Sequence, residues 1–402
     1  MSAYACEPGQ GSEPEVGWQW ALQMAQLHDV TVITRANNRA AIEAALATVP
    51  EPHPAFLYFD LPEAMLRLKR RRLLPVPVYY LLWQVGVRRH VAGQLARFDL
   101  IHHVTFNSFR QPGFWWFCGR PVVLGPLGGG QICPWQMWLH FGRRMLPEGL
   151  RSLSVLTTPL WPHLHLSWHE ATRILTANAD TARRLPPWYR SKTRSLLETG
   201  VAPHQVLAAR PRPPGGPVKF LWISRLERIK ACALALEAFA HALRVEPGLR
   251  LSLVGDGPDA PHARAVAARL GLGDAIRWYG RLPREGIPAV LQEHDVFVFT
   301  SVRDTSGNVL LEAMAAGLPA VTLRHHGAAE IATDETAIRT PPGSFRKTAV
   351  ALGEAMVRLA RSPELRARLG CAARTRVLEV YLWERKRTQM DGIYQEAVAA
   401  HT

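Results

Sequence analysis

Short apolar runs that alternate with helical patterns limit the fold of this chain more than any other feature of its sequence. In the second half, turn residues bound apolar runs at residues 217–223, 250–255, 276–280, 295–300 and 319–323. Helical patterns lie between these runs at residues 231–245, 261–272 and 308–317. Strands that alternate with helices of this length form βαβ units, whose parallel sheet is covered by helices on both faces. The second half therefore predicts a doubly wound α/β domain.

The first half shows the same alternation of apolar runs and helical patterns, with longer insertions. A helical pattern covers residues 15–27, and apolar runs lie at residues 29–35, 55–60, 99–104, 121–125 and 173–178. The proline- and glycine-rich stretch 208–217 predicts a linker between the halves. We therefore expect one domain over 1–207, a second over 208–380, and a last helix over 381–402 that packs back on the first. Because ligands bind at the carboxyl ends of such strands, we expect a site in a cleft between the domains.

Composition restricts the partners and the compartment. The net charge of +15 favours an anionic partner, and no motif that reads DNA or RNA is present, which leaves a phosphorylated substrate or an anionic membrane surface. Five cysteines without a C-x-x-C pair, no signal peptide and no apolar run that spans a bilayer indicate the cytoplasm. Basic residues abut apolar ones at 66–84, which suits contact with an anionic membrane. A solvated face beside a buried helix is the alternative.

Polar and charged residues follow the strands of the second half at their carboxyl ends. Ser224, Arg225 and Lys230 lie between the first strand of this half and the next helix. Two cations beside a helix N-terminus suit a diphosphate, because N–H groups and positive charge both attract its oxygens. A pair of solvated surface residues is the alternative. Arg281 and Leu282 follow another strand, where a base or sugar can bind backbone groups.

The stretch 301–320, SVRDTSGNVLLEAMAAGLPA, joins a polar loop to an apolar helical pattern. Ser306, Gly307 and Asn308 offer a helix cap and a backbone that a ligand can approach closely. The glycine and proline near its end stop the helix, so it covers roughly 308–316. Its N-terminus follows a continuous apolar run typical of a central strand, and we expect it to face the ligand.

Glu312 is the single carboxylate of this helical pattern. It lies four residues after Asn308, hence on the same face, while Leu311 and Met314 mark the packed side. A carboxylate at the margin of a buried face needs partners, because desolvation without them costs several kcal/mol. The paired hydroxyls of a ribose would satisfy both of its oxygens. An exposed helical glutamate is the alternative.

At these positions the second half resembles the retaining GT-B glycosyltransferases of glycosyltransferase family 4. The shared pattern has Arg225 and Lys230 after a strand, an acid at Asp304, seven further residues, and the run EAMAAGLP from Glu312 onward. The match is collinear over about 217–340 and continues into HHGAAEI. The resemblance implies an α/β chain of GT-B fold, with two doubly wound Rossmann-like domains that face a central cleft.

The resemblance also implies roles for individual residues. Arg225 and Lys230 bind the donor diphosphate, and Glu312 holds the ribose. Asp304 stands where the family usually has a glutamate that contacts the transferred sugar. The complete donor-binding group is Gly11, Ser224, Arg225, Lys230, Arg281, Leu282, Ser306, Gly307, Asn308, Val309 and Glu312. Within it, Asn308 and Val309 reach the phosphates through their backbone.

The start of the chain, SAYACEPGQGSEPEVGW, resembles a subgroup of this family that carries the aspartate. By resemblance, its glycine loop 7–13, which includes Gly11, lines the cleft near the donor phosphates and the acceptor. Only residues 1–6 precede this loop, so we expect a short first strand and interpret the start as shortened. By resemblance, His103 is the histidine that contacts the sugar. His102 in the same role, or a structural core histidine, is the alternative.

The predicted reaction transfers a sugar from a UDP- or GDP-linked donor to a hydroxyl of a glycan or lipid-linked acceptor, in the synthesis of a cell-surface polysaccharide. The predicted catalytic group is Asp304, Arg225, Lys230 and His103. Retention of configuration rests on the resemblance alone. Because no D-x-D pair is present, we expect no metal, and no cofactor besides the donor. We expect a cytoplasmic protein, free or peripheral on the inner face of the membrane. The alternatives are a non-catalytic nucleotide-sugar binder, suggested by Asp304, and another GT-B enzyme such as an epimerase or a phosphorylase.

Overall fold

The structure, a computed structural model, describes residues 1–111, 113–207 and 216–401. The predicted linker 208–217 lies outside these residues except for its last two positions. Thirteen strands form two sheets that are parallel throughout the described residues. The first sheet has the order β3-β2-β1-β4-β5-β6-β7. Its strands are β1 (Ser2–Ala3), β2 (Thr31–Thr34), β3 (Ala55–Tyr58), β4 (Ile101–Thr105), β5 (Val122–Leu127), β6 (Arg173–Thr176) and β7 (Thr193–Ser195).

The second sheet has the order β10-β9-β8-β11-β12-β13, so the chain reverses direction across the sheet between β8 and β11. Its strands are β8 (Lys219–Ile223), β9 (Arg250–Val254), β10 (Ile276–Gly280), β11 (Val296–Phe299), β12 (Ala320–Leu323) and β13 (Ala337–Thr340). Every residue of β11 and β12 is buried. This burial explains their continuous apolar runs, because central strands of a parallel sheet are covered on both faces.

Helices connect the strands in both halves. In the first half they are α1 (Ser12–Ala25), α2 (Arg39–Leu46), α3 (Glu63–Arg70), α4 (Val76–Val91), α5 (Met145–Thr157), α6 (Pro162–Glu170) and α7 (Ala179–Arg184). In the second half they are α8 (Cys232–Val245), α9 (Ala260–Arg269), α10 (Ile287–Gln292), α11 (Asn308–Ala315), α12 (His326–Ile331), α13 (Phe345–Arg361), α14 (Pro363–Arg376) and α15 (Trp383–Ala399). The predicted helix 308–316 therefore ends one residue early. The predicted alternation of strands and helices is confirmed in both halves.

The chain divides into two compact units. The first comprises Met1–Gly130, Ser154–Glu198 and Glu384–Thr402, and the second comprises Gln131–Leu153 and Thr199–Trp383. Each unit contains one of the two sheets. These bounds differ from the predicted domains chiefly in the middle of the chain, where a segment of the first half belongs to the second unit.

The segment Gln131–Leu153 accounts for the difference between the predicted domains and the observed units. Its residues Met137 and Phe141 are buried in the apolar core of the second unit, together with Trp222 and Phe239. The sequence did not show this, because the segment is an insertion between β5 and β6 whose apolar residues could cover either sheet. It contains a 3-10 helix, Trp135–Arg144, and the first part of α5.

Helix α15 packs within the first unit. The Asp391 carboxylate lies 2.8 Å from the His28 ring nitrogen Nε2, and the Tyr394 hydroxyl lies 2.5 Å from the His102 ring nitrogen Nδ1. Glu396 accepts a hydrogen bond of 3.1 Å from a side chain of β6. Each of these contacts joins α15 to a residue at least 223 positions earlier in the chain, so the last helix is held to the first unit by long-range contacts.

Candidate functional site

Two loops of the second unit meet at the carboxyl end of its sheet. The loop after β8 contains Ser224 and Leu226, and the tight turn after β9 contains Gly255 and Gly257. A Cβ atom added at either glycine would collide with a carbonyl oxygen of the β8 loop. Both glycines also have positive φ, 132° and 158°. The turn therefore requires glycine because it packs directly on the β8 loop.

Lys230 and Asp304 form an ion pair at this end of the sheet. Lys230 Nζ lies 2.5 Å from Asp304 Oδ2, and both side chains are less than one-fifth exposed. Ser301 Oγ donates to the same carboxylate oxygen at 3.2 Å, and the Thr305 N–H donates to Oδ1 at 3.0 Å. Residues that are 74 positions apart in sequence are thus brought together because β8 and β11 are neighbours in the sheet.

Thr300 fixes the backbone beside this pair. Its hydroxyl lies 3.2 Å from the Lys230 carbonyl oxygen and 3.1 Å from the Ala231 carbonyl oxygen, and it accepts a bond of 3.0 Å from the Trp222 indole. Ala231 has left-handed backbone angles, φ 48° and ψ 50°, between the short helical turn that ends at Lys230 and helix α8. The hydroxyl therefore holds the turn that carries Lys230 against the end of β11.

Helix α11 begins at the same edge. Its N-cap is Gly307, whose φ of 91° lies in the left-handed region, and no side chain among the described residues caps the helix. The predicted polar cap is therefore replaced by glycine, while Ser306 Oγ donates to Asn308 Oδ1 at 3.0 Å. The first N–H groups of a helix have no partner inside it, and the positive end of its dipole attracts anions. The start of α11 can therefore bind an anion through Asn308 and Val309.

Glu312 lies one turn into α11 and is half-buried. Burial raises the pKa of its carboxyl group above the usual 4.5, and the nearby charge of Arg284 partly opposes this rise. Hydrogen-bond donors from a ligand would stabilise the ionised carboxylate and lower its pKa again. This geometry suits a glutamate whose carboxylate accepts hydrogen bonds from the hydroxyl groups of a ligand.

A second acid, Glu148, was not predicted from the sequence and supports this site. Its buried carboxylate lies 3.1 Å from Arg303 Nε, next to Asp304, and 3.2 Å from Arg151 Nε. Arg151 also donates to the Gln131 carbonyl oxygen at 2.5 Å. The signal was available, because Glu148 is a single acid in an apolar helical pattern, as Glu312 is.

The first unit does not present the predicted histidine on its surface. His103 is completely buried, with Nε2 2.8 Å from the Tyr80 hydroxyl and Nδ1 3.3 Å from Ser2 Oγ. His102 is also buried, and burial lowers the pKa of each imidazole to about 3. Both rings are therefore neutral core groups. This placement agrees with the alternative of a structural core histidine, and the contact of His103 with a sugar stays a prediction.

The glycine loop of the first unit contains a carboxyl group with an altered pKa. Gly9 and Gly11 have positive φ, 74° and 66°, and the Gly9 N–H donates to Glu15 at 2.8 Å. Glu13 accepts a bond of 2.7 Å from the Asn107 N–H, and burial raises the pKa of its carboxyl group to about 7. The glycines of this loop indicated it in the sequence, whereas Glu13 was not predicted.

Residues 217–362, which include the Lys230–Asp304 pair and Glu312, match the protein family described as glycosyl transferases group 1. We call this matching segment the group 1 domain. A D-inositol 3-phosphate glycosyltransferase of Saccharomonospora viridis is 30% identical over 197 residues, which are 46% of this chain and 44% of that relative. The chain thus spans about half the length of the curated relatives it matches.

Solved structures extend the fold match to almost the whole chain. HepE of Anabaena, in complex with UDP, matches with a TM-score of 0.61 at 16% identity over 96% of this chain and 97% of HepE. A glycosyltransferase of Rickettsia africae matches with a TM-score of 0.62 at 13% identity over 94% and 93% of the two chains. At such identities the likeness concerns the fold alone, and it confirms the predicted GT-B class.

The group 1 domain brings some of the predicted site residues together and leaves others apart. Lys230 and Asp304 are in direct contact. Arg225 is 75% exposed and forms an ion pair of 2.9 Å with Glu227. Arg281 is exposed at the end of β10, and the leucine that follows it is half-buried. The domain therefore combines a closed, neutralised pair with exposed guanidinium groups at one end of the same sheet.

Proposed function

We propose that this chain is a glycosyltransferase that moves a sugar from a nucleotide-sugar donor to a hydroxyl of a glycan or lipid-linked acceptor. One observation carries the proposal: within the group 1 domain, Lys230, Asp304 and the uncapped start of α11 lie at the same end of the sheet. A cation and a helix N-terminus attract a diphosphate, and an acid beside them suits the hydroxyl groups of a sugar.

In the proposed complex, Lys230 and Arg225 neutralise the diphosphate. Each keeps donors for this task, because an ammonium group has three N–H bonds and a guanidinium group has five, of which Asp304 and Glu227 occupy only part. The Asn308 and Val309 N–H groups bind the phosphate oxygens. HepE, a neighbour in fold, was solved with UDP, so UDP is the first candidate nucleotide and GDP the second.

The remaining donor contacts are assigned to residues of the group 1 domain and to the glycine loop of the first unit. Glu312 accepts both ribose hydroxyls, which supports ionisation of its carboxyl group. Backbone groups of Arg281 and Leu282 bind the base, and Ser224 on the β8 loop completes the donor-binding group. Gly11 belongs to the glycine loop that we assign to the donor phosphates and the acceptor.

The proposed mechanism uses positioning and charge stabilisation. Asp304 orients the transferred sugar, while Lys230 and Arg225 stabilise the negative charge that develops on the departing diphosphate. A donor phosphate oxygen accepts the proton of the attacking hydroxyl, and the new bond forms on the face that the diphosphate leaves, which retains configuration. The cations do the work that a metal does in other sugar-nucleotide transferases, so the proposed reaction needs neither a metal nor a cofactor. His103 is left out of this group because it is buried.

The proposed setting is the synthesis of a cell-surface polysaccharide in the cytoplasm, at the inner face of the membrane. The segment 66–84 supports membrane contact, because Arg67, Arg71 and Arg72 are accompanied by the exposed Leu73, and further exposed apolar residues follow on α4. Not every cation there is free, since Lys69 donates to the Tyr4 hydroxyl at 3.0 Å. No helix in the described residues is long and apolar enough to cross a membrane.

A nucleotide-sugar binder with little catalytic power is the second candidate. It is favoured by one observation: Asp304, shorter than the usual glutamate, already contacts Lys230, Ser301 and Thr305. Thermal unfolding with UDP, GDP and ADP identifies the nucleotide, because a ligand stabilises the fold according to its concentration relative to Kd. Release of that nucleotide from its sugar conjugates, with and without glycan acceptors, then separates the candidates. A stabilising nucleotide with no turnover of any conjugate supports the binder, and an epimerised donor supports an epimerase. If no nucleotide stabilises the fold, the transferase, the binder and the epimerase are all contradicted.

A further inference from the structure

The exposed side of the segment Gln131–Leu153 is strongly apolar. Leu139 is 87% exposed, Leu146 is 71% exposed and Leu150 is 60% exposed. Trp135, Met145 and Leu153 are exposed as well. Single exposed apolar residues are ordinary on a protein surface, but a group of six within one short segment marks an interaction site. We call these six residues, together with Arg143 and Arg144, the 135–153 surface.

The apolar residues of this surface are not needed for the core beneath it. On the other side of the same segment, Met137 and Phe141 pack in the core of the second unit, and Glu148 and Ser152 are buried. The segment is therefore apolar on two sides. The inner side accounts for its attachment to the second unit, so the outer side requires a separate explanation.

The charge of the 135–153 surface indicates its partner. Arg143 and Arg144 are exposed between the two helical parts, where Gly142 has φ 50° and the chain bends. The only acid of the segment, Glu148, is buried and paired with Arg151 and with the arginine before Asp304. The exposed side thus combines large apolar groups with positive charge and carries no negative charge. This combination is typical of helices that lie in the interface of an anionic lipid bilayer.

We propose that the 135–153 surface docks on an anionic lipid bilayer, with its leucines and Trp135 in the apolar boundary and its two arginines among the anionic headgroups. The docking follows from the surface itself, whereas its purpose, access to a lipid-linked acceptor, rests on the proposed function. Glu148 lies on the inner side of the same segment and pairs with Arg303, next to Asp304. A docked segment would therefore be joined to the loop that carries the donor-site acid.

Vesicle flotation of the full chain tests this proposal. We expect binding to vesicles of phosphatidylglycerol and phosphatidylcholine, and at least tenfold weaker binding to phosphatidylcholine alone or in high salt, because exposed charges are screened. The double variant Leu146→Ser, Leu150→Ser should lose at least tenfold in affinity for the anionic vesicles. The single variant Leu139→Ser, at the most exposed position, should lose severalfold and serves if the double variant folds poorly.

Two matched variants make the result specific. Leu27→Ser changes an exposed leucine of the first unit and should bind as the unmodified chain does. Leu73→Ser tests the 66–84 segment: if it abolishes binding while the double variant binds normally, the proposal is overturned. Absence of vesicle binding by the unmodified chain also overturns it, as does a dimer in light scattering that the double variant dissolves. Stabilisation by UDP is measured in parallel, so that loss of docking and failure of the proposed donor site are seen separately.

Discussion

Lys230 Nζ lies 2.5 Å from Asp304 Oδ2, so the cation after β8 and the acid after β11 neutralise each other at the end of the sheet. Neither side chain is more than one-fifth exposed, and Asp304 receives two further hydrogen bonds. The pair therefore holds both loops in place, while the Lys230 ammonium keeps N–H donors for a ligand. Its two members should respond differently to mutation, because only one of them is expected to bind phosphate.

The first prediction separates the roles of this pair. Lys230→Ala leaves a poorly solvated carboxylate without its cation, so the free energy of unfolding should fall by about 1–3 kcal/mol and UDP binding should weaken more than tenfold. Asp304→Asn keeps a side chain that can bond to Ser301 and Thr305 and releases the lysine. We expect it to bind UDP at least as tightly as the unmodified chain but to lose turnover. Calorimetric titration with UDP and denaturant unfolding measure both effects. Equal loss of UDP affinity in the two variants would contradict the assignment.

A second prediction concerns the pH dependence that Glu312 confers on nucleotide binding. Its carboxyl pKa is raised by burial, and ribose hydroxyls favour the ionised form. Affinity for UDP should therefore be full above the raised pKa and should decline as the pH falls through it, beginning above the usual 4.5. Glu312→Gln should weaken UDP binding about tenfold or more at neutral pH, as expected for a lost charged hydrogen-bond acceptor, and should remove this pH dependence. Glu354→Gln, at an exposed position on α13, is the control and should change neither.

The third prediction treats Glu148 as a positioning residue. Glu148→Gln removes the charge that holds Arg303, so the adjacent Asp304 should be less well placed. Because small misplacements of reacting groups are costly, kcat should fall about tenfold. KM for the donor should stay nearly constant. Arg151→Gln is the matched control, since it breaks the other ion pair of Glu148 and leaves Arg303 in contact. Both variants should lower the unfolding temperature. If both also lower kcat equally, Glu148 is only structural.

The sequence predicted the parts of this site that lie close together in the chain. Seven residues separate Asp304 from Glu312, and the glycine before α11 is part of the same short pattern, so their proximity follows from one loop and one helix. The contact of Lys230 with Asp304 could also be predicted, because the order of elements in a doubly wound sheet makes β8 and β11 neighbours. Parallel sheets place such loops at one edge.

The remaining features depend on long-range packing that periodicity does not encode. The insertion that carries Glu148 joined the second unit because Met137 and Phe141 fit its core, although it follows a strand of the first sheet. The burial of His103 depends on such packing as well. It lies in the middle of β4, which extends two residues beyond it, and the Tyr80 hydroxyl from α4 lies 2.8 Å from its ring. Which helix covers a strand end is decided by side-chain fit.

A fourth prediction tests the glycine that begins α11. Gly307 has φ 91°, and an added Cβ would lie 2.9 Å from the Phe299 ring. Gly307→Ala should therefore destabilise the fold by about 1–3 kcal/mol through backbone strain and contact with the ring, and should also weaken UDP binding. Gly392→Ala is the matched control: this glycine lies inside α15 with open space around it, so alanine should stabilise the fold by about 0.5–1 kcal/mol. Destabilisation of similar size in both variants would contradict the argument.

The last prediction concerns the pH dependence of stability and rests on Glu13. Burial raises the pKa of this carboxyl group from 4.5 to about 7, and the negative charge of Glu198 adds to the rise. Between these two pH values the folded chain holds a proton that the unfolded chain has released. The free energy of unfolding should therefore decrease as the pH rises from 4.5 to 7, by up to about 3 kcal/mol for this group alone.

The variant Glu13→Gln isolates this contribution. Its amide oxygen can still accept the Asn107 N–H bond, but the side chain no longer titrates, so the variant should be more stable than the unmodified chain at pH 8 and lose this advantage at pH 5. Glu7→Gln is the control in the same loop, because the Glu7 carboxylate is bonded only to the Gln10 side chain among the contacts of the described residues. Denaturant unfolding at both pH values measures the difference. A constant difference between Glu13→Gln and the unmodified chain at pH 5 and pH 8 would show that Glu13 does not hold the proton, because only a titrating carboxyl group makes that difference depend on pH.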